Sequence, residues 1–206
     1  MEEKAILEAL KKLRAENKER KFNQTVDLLI NLRKFDVRKS SFSLFASVPH
    51  KIKEKKIAAF LEKQSKLLDT ITKDEFGRFK EKKDLRKLRQ YDTFIANAKL
   101  MPAIATSFGR VLGAAGKMPS PQLGILPNEE DATIKKLMEK VNSTVRVRVK
   151  EPSIKIPIGK ESMNDKDIAE NIEAVYSKIL ENLPSQTENV KNVMIKFTMT
   201  KPVKIM

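Results

Sequence analysis

The stretch Ser143-Thr144-Val145-Arg146-Val147-Arg148-Val149-Lys150-Glu151-Pro152-Ser153-Ile154-Lys155-Ile156-Pro157-Ile158 decides how this chain is put together. Val145, Val147 and Val149 alternate with Arg146, Arg148 and Lys150. Glu151-Pro152 turns the chain, and Ile154, Ile156 and Ile158 then form the returning strand. Successive side chains of a strand point to opposite faces, so each run reads as a half-buried strand with its branched residues inward.

The same period of two recurs at both ends of the chain. Near the start, Val26, Leu28, Ile30 and Leu32 alternate with Thr25, Asp27 and Asn31. Phe42, Leu44, Ala46 and Val48 make a second strand, closed by Pro49. At the far end Val193, Ile195, Phe197 and Met199 alternate with Lys196 and Thr198. Two amphipathic helices accompany these strands. One spans residues 3–18 on Ile6, Leu10 and Leu13; the other spans 165–182 on Ile168, Ile172, Val175 and Ile179.

Between the ends the style changes. After the charged connector 50–56, Ile57 to Leu61 is a continuous apolar run, as in a strand covered on both faces. A second short run falls at Thr93-Phe94-Ile95-Ala96, and residues 129–141 read as a helix with Glu129, Glu130 and Asp131 in its first turn. Strands alternating with helices predict a small parallel α/β layer. The chain therefore reads as a mixed α+β and α/β protein of two domains. Residues 1–54 and 143–206 form one discontinuous α+β domain, and 55–142 form an inserted α/β domain. The two crossing connections make a hinge.

Composition names the partner class. The chain has 206 residues, 42 Lys+Arg against 27 Asp+Glu, and a formal net charge of +15. Such a balance favours a polyanion. No apolar run approaches the roughly 20 residues of a membrane span, and no signal peptide opens the chain. Cysteine is absent, which removes disulfides, thiol catalysis and Cys-type zinc sites. Cofactor, metal and catalytic residues are all expected to be none.

Three features could carry chemistry. Gly109 to Pro119 runs Gly-Arg-Val-Leu-Gly-Ala-Ala-Gly-Lys-Met-Pro, a glycine-rich turn that could aim Arg110, Lys117 and Met118 at a phosphate. A P-loop would need Gly where Val111 stands and a hydroxyl where Met118 stands. The enzyme alternative, a nucleotide-binding α/β protein using Gly113 to Lys117, rests on this segment. The run 78–89 has seven basic residues and two acidic ones, either a solvated helix face or a nucleic-acid face. His50, the sole histidine, is a candidate for phosphate or partner contact.

Two strand ends combine cations, hydroxyls and an exposed apolar side chain. Lys21 and Phe22 open the first strand, with Gln24, Thr25 and Asp27 on its polar face; Thr198, Met199, Thr200, Lys201 and Pro202 end the last. Hydroxyls and amides can bond ribose 2′-OH groups while Phe or Met packs on sugars and bases. The plainer reading of either cluster alone is a fraying sheet edge.

Together, Lys21-Phe22-Asn23-Gln24-Thr25-Val26-Asp27, Gly109 through Pro119, and Lys196-Phe197-Thr198-Met199-Thr200-Lys201-Pro202 resemble the universal large-subunit ribosomal protein of the mobile lateral stalk, the L-one family. The lack of an insertion after Lys117-Met118-Pro119 resembles its archaeal branch. The resemblance implies a discontinuous α+β domain with a Rossmann-like domain inserted. It implies a monomer within the cytoplasmic ribosome, bound to the stalk of large-subunit rRNA and assisting release of exit-site tRNA. It implies repression of its own mRNA. Carried over by position, the rRNA contacts are Lys21, Phe22, Thr25, Asp27, Thr198 and Met199, with Gln24, Thr200 and Lys201 beside them. His50, Arg110, Lys117 and Met118 are secondary RNA or tRNA contacts. Thr200 stands where the family usually has Gly. The turn Arg38-Lys39-Ser40-Ser41 is shorter than the family's, and Lys51 follows His50 in place of Gly.

Overall fold

A computed structural model describes residues 3–18, 20–37, 42–80 and 87–206. The turn Arg38-Lys39-Ser40-Ser41 and positions 81–86 of the basic run 78–89 lie outside the described residues. The described chain falls into two compact units, residues 1–53 with 143–206, and residues 54–142.

The first unit contains α1 (Glu3–Glu16), β1 (Thr25–Leu32) and β2 (Phe42–Ser47) from the N-terminal part. It takes β7 (Thr144–Val149), β8 (Ser153–Lys160), α4 (Asp165–Asn182), β9 (Val190–Phe197) and β10 (Val203–Lys204) from the C-terminal part. Four strands form an antiparallel sheet in the order β10-β9-β1-β8. In β1 burial alternates without a break, so Val26, Leu28, Ile30 and Leu32 face inward and Thr25, Asp27, Leu29 and Asn31 face outward. The inward rows of β1, β8 and β9 meet Ile6, Leu10 and Leu13 of α1 and Ile168, Ile172, Val175 and Ile179 of α4 in one core.

The returning strand is a correction to the sequence reading. β8 does not pair with β7; it joins β1, while β7 pairs antiparallel with β2 in a separate two-stranded ribbon. The Leu32 N–H donates to the Pro152 carbonyl at 2.7 Å, so the Glu151-Pro152 corner hands the chain from one sheet to the other. Both strands keep their branched residues in the same core, which is why the period did not reveal the change of sheet.

Helix α4 also fixes the chain where it leaves this unit. Asn171 is fully buried. Its Oδ1 accepts from the His50 N–H at 3.0 Å, and its Nδ2 donates to the carbonyls of His50 and Ile158, each at 3.0 Å. Asn171→Leu keeps the branched shape with a larger apolar side chain and strands these backbone groups. The expected cost is about 2 kcal/mol, read from urea unfolding followed by the Tyr176 signal. An unchanged midpoint would show that His50 finds other partners.

The second unit holds β3 (Ile57–Phe60), β4 (Asp69–Ile71), β5 (Thr93–Asn97), α2 (Met101–Ala115), β6 (Ile125–Leu126) and α3 (Asp131–Asn142). Its four strands are all parallel, in the order β4-β3-β5-β6. Every residue of β3 is buried, as the unbroken apolar run requires. Phe60, Phe94 and Phe108 are its largest buried side chains. At the strand ends, the Glu129 carboxylate accepts from the N–H groups of Glu62 and Lys63 and from the Asn97 amide, at 2.8, 3.2 and 2.6 Å.

Candidate nucleic-acid interface

The β1–β9 pairing brings the two strand-end clusters together. Val26 lies opposite Phe197 and Asp27 opposite Lys196. One step beyond the ladder, the Thr25 N–H donates to Thr198 Oγ1 at 3.1 Å, and the Thr198 hydroxyl returns to the Thr25 carbonyl at 3.4 Å. The two exposed apolar side chains of this end are Phe22, 51% exposed, and Met199, 60% exposed. Both lie at the end where the hydroxyls and cations gather, and so add apolar area to it. Lys21 and Lys201 are exposed beside them.

Two further cations belong to the same place. Lys160 lies opposite Thr25 on β8 and its Nζ donates to Thr25 Oγ1 at 2.8 Å; Lys196 lies across from Asp27. Lys196, part of the motif that carries the resemblance, was not among the expected contacts although it shares the outward phase of Asn192 and Met194, and Lys160 had no signal in the sequence. Burial pushes the Asp27 carboxyl up, and the Lys196 and Lys160 charges oppose that shift. The assembled surface offers four ammonium groups, one carboxylate, hydroxyls and two apolar side chains.

Thr200 is accommodated without strain. Its Oγ1 accepts from the Phe197 N–H at 2.9 Å and its own N–H returns to the Phe197 carbonyl at 3.3 Å, closing a tight turn. Among the described residues the only non-glycine positions with positive φ are Lys34 and Gln186. This turn therefore needs no glycine for its backbone angles.

Gln24 is not on the polar face. It is fully buried, with Nε2 donating to Asn17 Oδ1 at 2.8 Å and Oε1 accepting from the Met199 N–H at 3.1 Å. Its position is in phase with Val26 and Leu28, and that parity is the signal that places it inside.

The glycine segment differs most from expectation. It is not a glycine-rich turn. Gly109 and Gly113 lie inside α2, and only Gly116, with φ 65°, takes the left-handed conformation that caps it. Ile104, Phe108 and Leu112 recur every four residues and are buried, and that stripe holds the helix through two glycines costing about 1 kcal/mol each. The Lys117 N–H returns to the Leu112 carbonyl at 2.8 Å. Its Nζ donates to the carbonyls of Arg89 and Tyr91 at 2.8 and 2.6 Å. Met118 packs against the core of its unit, and Arg110 is exposed on α2. A helix C-terminus presents carbonyls and the negative end of the dipole. The segment therefore builds no phosphate cradle.

His50 sits beside two carboxylates. Its Nε2 lies 2.7 Å from Glu170 Oε2 and 3.9 Å from Asp167 Oδ1. Two carboxylates beside the ring oppose the approach of a phosphate. Among the described residues no cluster of His, Cys, Asp and Glu could hold a metal ion, and no helix is long and apolar enough to cross a membrane.

The model of the ribosomal protein L1p/L10e family matches residues 10–201. Similar proteins include the large ribosomal subunit protein uL1 of Thermococcus kodakarensis, 40% identical over 97% of this chain and 96% of the relative. The uL1 of Nanoarchaeum equitans is 36% identical over 97% of this chain and 99% of the relative. That of Methanocaldococcus jannaschii is 35% identical over 100% and 96%. A match across nearly the whole length, with the two strand ends meeting as they do, means that the chain belongs to the ribosomal protein L1p/L10e family, a family of structural and non-enzymatic proteins.

Proposed function

We propose that this chain is a constituent of the large ribosomal subunit in the cytoplasm and that it binds the lateral-stalk region of large-subunit rRNA. The observation that carries this reading is the Thr25–Thr198 junction with Phe22 and Met199 exposed beside it. Four lysines supply affinity for phosphates. Hydroxyls and one carboxylate supply the directed contacts that distinguish ribose and base edges. The discontinuous unit is then the RNA-binding domain and the unit 54–142 an inserted domain of its own.

The same reading includes assistance in releasing deacylated tRNA from the exit site. It also includes repression of the chain's own mRNA, through a message segment that mimics the rRNA fold and competes for the same surface. Arg110 remains exposed for an RNA contact from the second unit.

Filter binding tests the central claim. Affinity for a stalk-rRNA transcript is expected to exceed that for a random duplex by about a thousandfold or more. Equal affinity for both would refute it. Thr198→Val keeps the shape and removes the hydroxyl that accepts the Thr25 N–H. It is expected to weaken stalk binding by about 1–2 kcal/mol, roughly 5- to 30-fold, with the fold intact. An unchanged affinity would move the site elsewhere.

A further inference from the structure

We propose that Gln24 is a positioning residue for RNA recognition, acting through the Met199 backbone rather than by touching RNA. This rests on the RNA reading of the strand-end surface. Met199 lies beyond the last rung of the β1–β9 ladder, where no strand partner remains to hold it. Its N–H donates instead to Gln24 Oε1 at 3.1 Å.

Gln24 is in turn held from behind. Its Nε2 donates to Asn17 Oδ1 at 2.8 Å, and Asn17 Nδ2 donates to Glu161 Oε1. Glu161 Oε2 accepts from the Gln24 N–H at 3.3 Å, and the Gln24 carbonyl accepts from the Glu161 N–H at 2.9 Å. Arg14 clamps the same loop, donating to the carbonyls of Glu161 and Met163, both at 2.9 Å, and pairing with Asp165.

The relay has one direction. Met199 N–H gives to Gln24, Gln24 gives to Asn17, and Asn17 gives to the Glu161 carboxylate. Only a group with an acceptor at one end and a donor at the other completes it. Gln24 is thus a buried latch that sets the backbone from which the exposed Met199 side chain projects.

Two variants test this. Gln24→Met matches the volume, adds no charge and lacks both hydrogen-bonding atoms. Gln24→Glu is isosteric, but its carboxylate cannot donate to Asn17 Oδ1; its protonated form can. Burial and the neighbouring Glu161 carboxylate both favour the neutral form of a carboxyl placed here, so the functional form gains at low pH and is lost as pH rises. Stalk-RNA affinity is measured against wild type at pH 7.5 and pH 5.5, with circular dichroism checking the fold. Hydrogen exchange of the Met199 amide is followed without RNA.

Gln24→Met is expected to bind about tenfold more weakly at both pH values, and its Met199 amide to exchange at least about tenfold faster while the β1–β9 ladder amides are unchanged. Gln24→Glu is expected to share the deficit at pH 7.5 and recover most of it at pH 5.5. A folded Gln24→Met within twofold of wild type, no acid recovery by Gln24→Glu, or unchanged Met199 exchange would each overturn the proposal. If wild type shows no preference for the stalk transcript, the RNA reading fails instead, and the exchange measurement alone still decides the latch.

Discussion

Phe108→Ala is expected to destabilise residues 54–142 by about 3–5 kcal/mol, the range for truncating a buried aromatic side chain. Phe108 is 1% exposed and sits among three rings. Its centroid lies 5.3 Å from Phe60, 5.0 Å from Phe76 and 5.7 Å from Phe79. Phe76 and Phe79 meet it edge-on, an arrangement that adds to area burial. Removing the ring leaves a cavity between the parallel sheet and α2 that a helix also held by Ile104 and Leu112 cannot collapse to fill.

The chain offers a convenient measurement. It has two tyrosines and no tryptophan. Tyr91 belongs to the aromatic cluster of the second unit, 5.8 Å from Phe94, and Tyr176 to the core of the first. In single-tyrosine backgrounds the Tyr91 transition is expected to move down by about 2–3 M urea. The Tyr176 transition is expected to stay in place. Equal movement of both would show that the two units unfold as one.

The second large effect is on binding. Lys21, Lys160, Lys196 and Lys201 surround the strand-end surface, and each phosphate they neutralise releases a counterion. Four such contacts give a slope of about −3.6 for log affinity against log salt. Stalk-RNA affinity should fall by about 150-fold between 50 and 200 mM salt, equivalent to about 3 kcal/mol. Lys201→Ala is expected to flatten the slope by about one, whereas Thr198→Val should lower the line without tilting it. A wild-type slope shallower than about −2 would mean that these lysines do not meet phosphates.

How far the sequence could be read depended on period and length. Helix α4 runs from Asp165 to Asn182, as the spacing of Ile168, Ile172, Val175 and Ile179 requires, with Asn164 capping its start. β1 shows the expected alternation at every position. β4, β6 and β10 have only two or three residues, too few to show any period. Sheet membership was not legible either. β7 and β8 present the same inward pattern while pairing with different strands, because burial fixes a face and not a neighbour.

At the site, the charged and hydroxyl-bearing residues were legible and their wiring was not. Gln24 was grouped with Thr25 and Asp27 by polarity, but its even position places it with Val26 inside. Lys160 lies far from Thr25 in sequence and reaches it only through β8 pairing. Glycines in Gly109–Gly116 suggested a loop because outward-facing helical glycines look the same on paper as turn glycines. Contact of Phe108 and Leu112 with the core overrode the weak helix propensity of Gly109 and Gly113.

The pairing of β1 with β8 and β9 also sets a schedule for synthesis. Both partners of β1 are encoded after the intervening unit, and the Thr25–Thr198 hydrogen bond spans 173 positions. β8 ends 128 residues after β1, so at about 5–20 residues per second a nascent β1 waits roughly six to twenty-five seconds with both edges unpaired, and longer for β9. Residues 54–142 are complete well before that and can fold while the first strand is still waiting. The end of the sheet where Thr25 meets Thr198 is therefore among the last parts of the molecule to form. A truncated chain lacking β9 would display an open, apolar-backed strand edge in place of the Thr25–Thr198 junction.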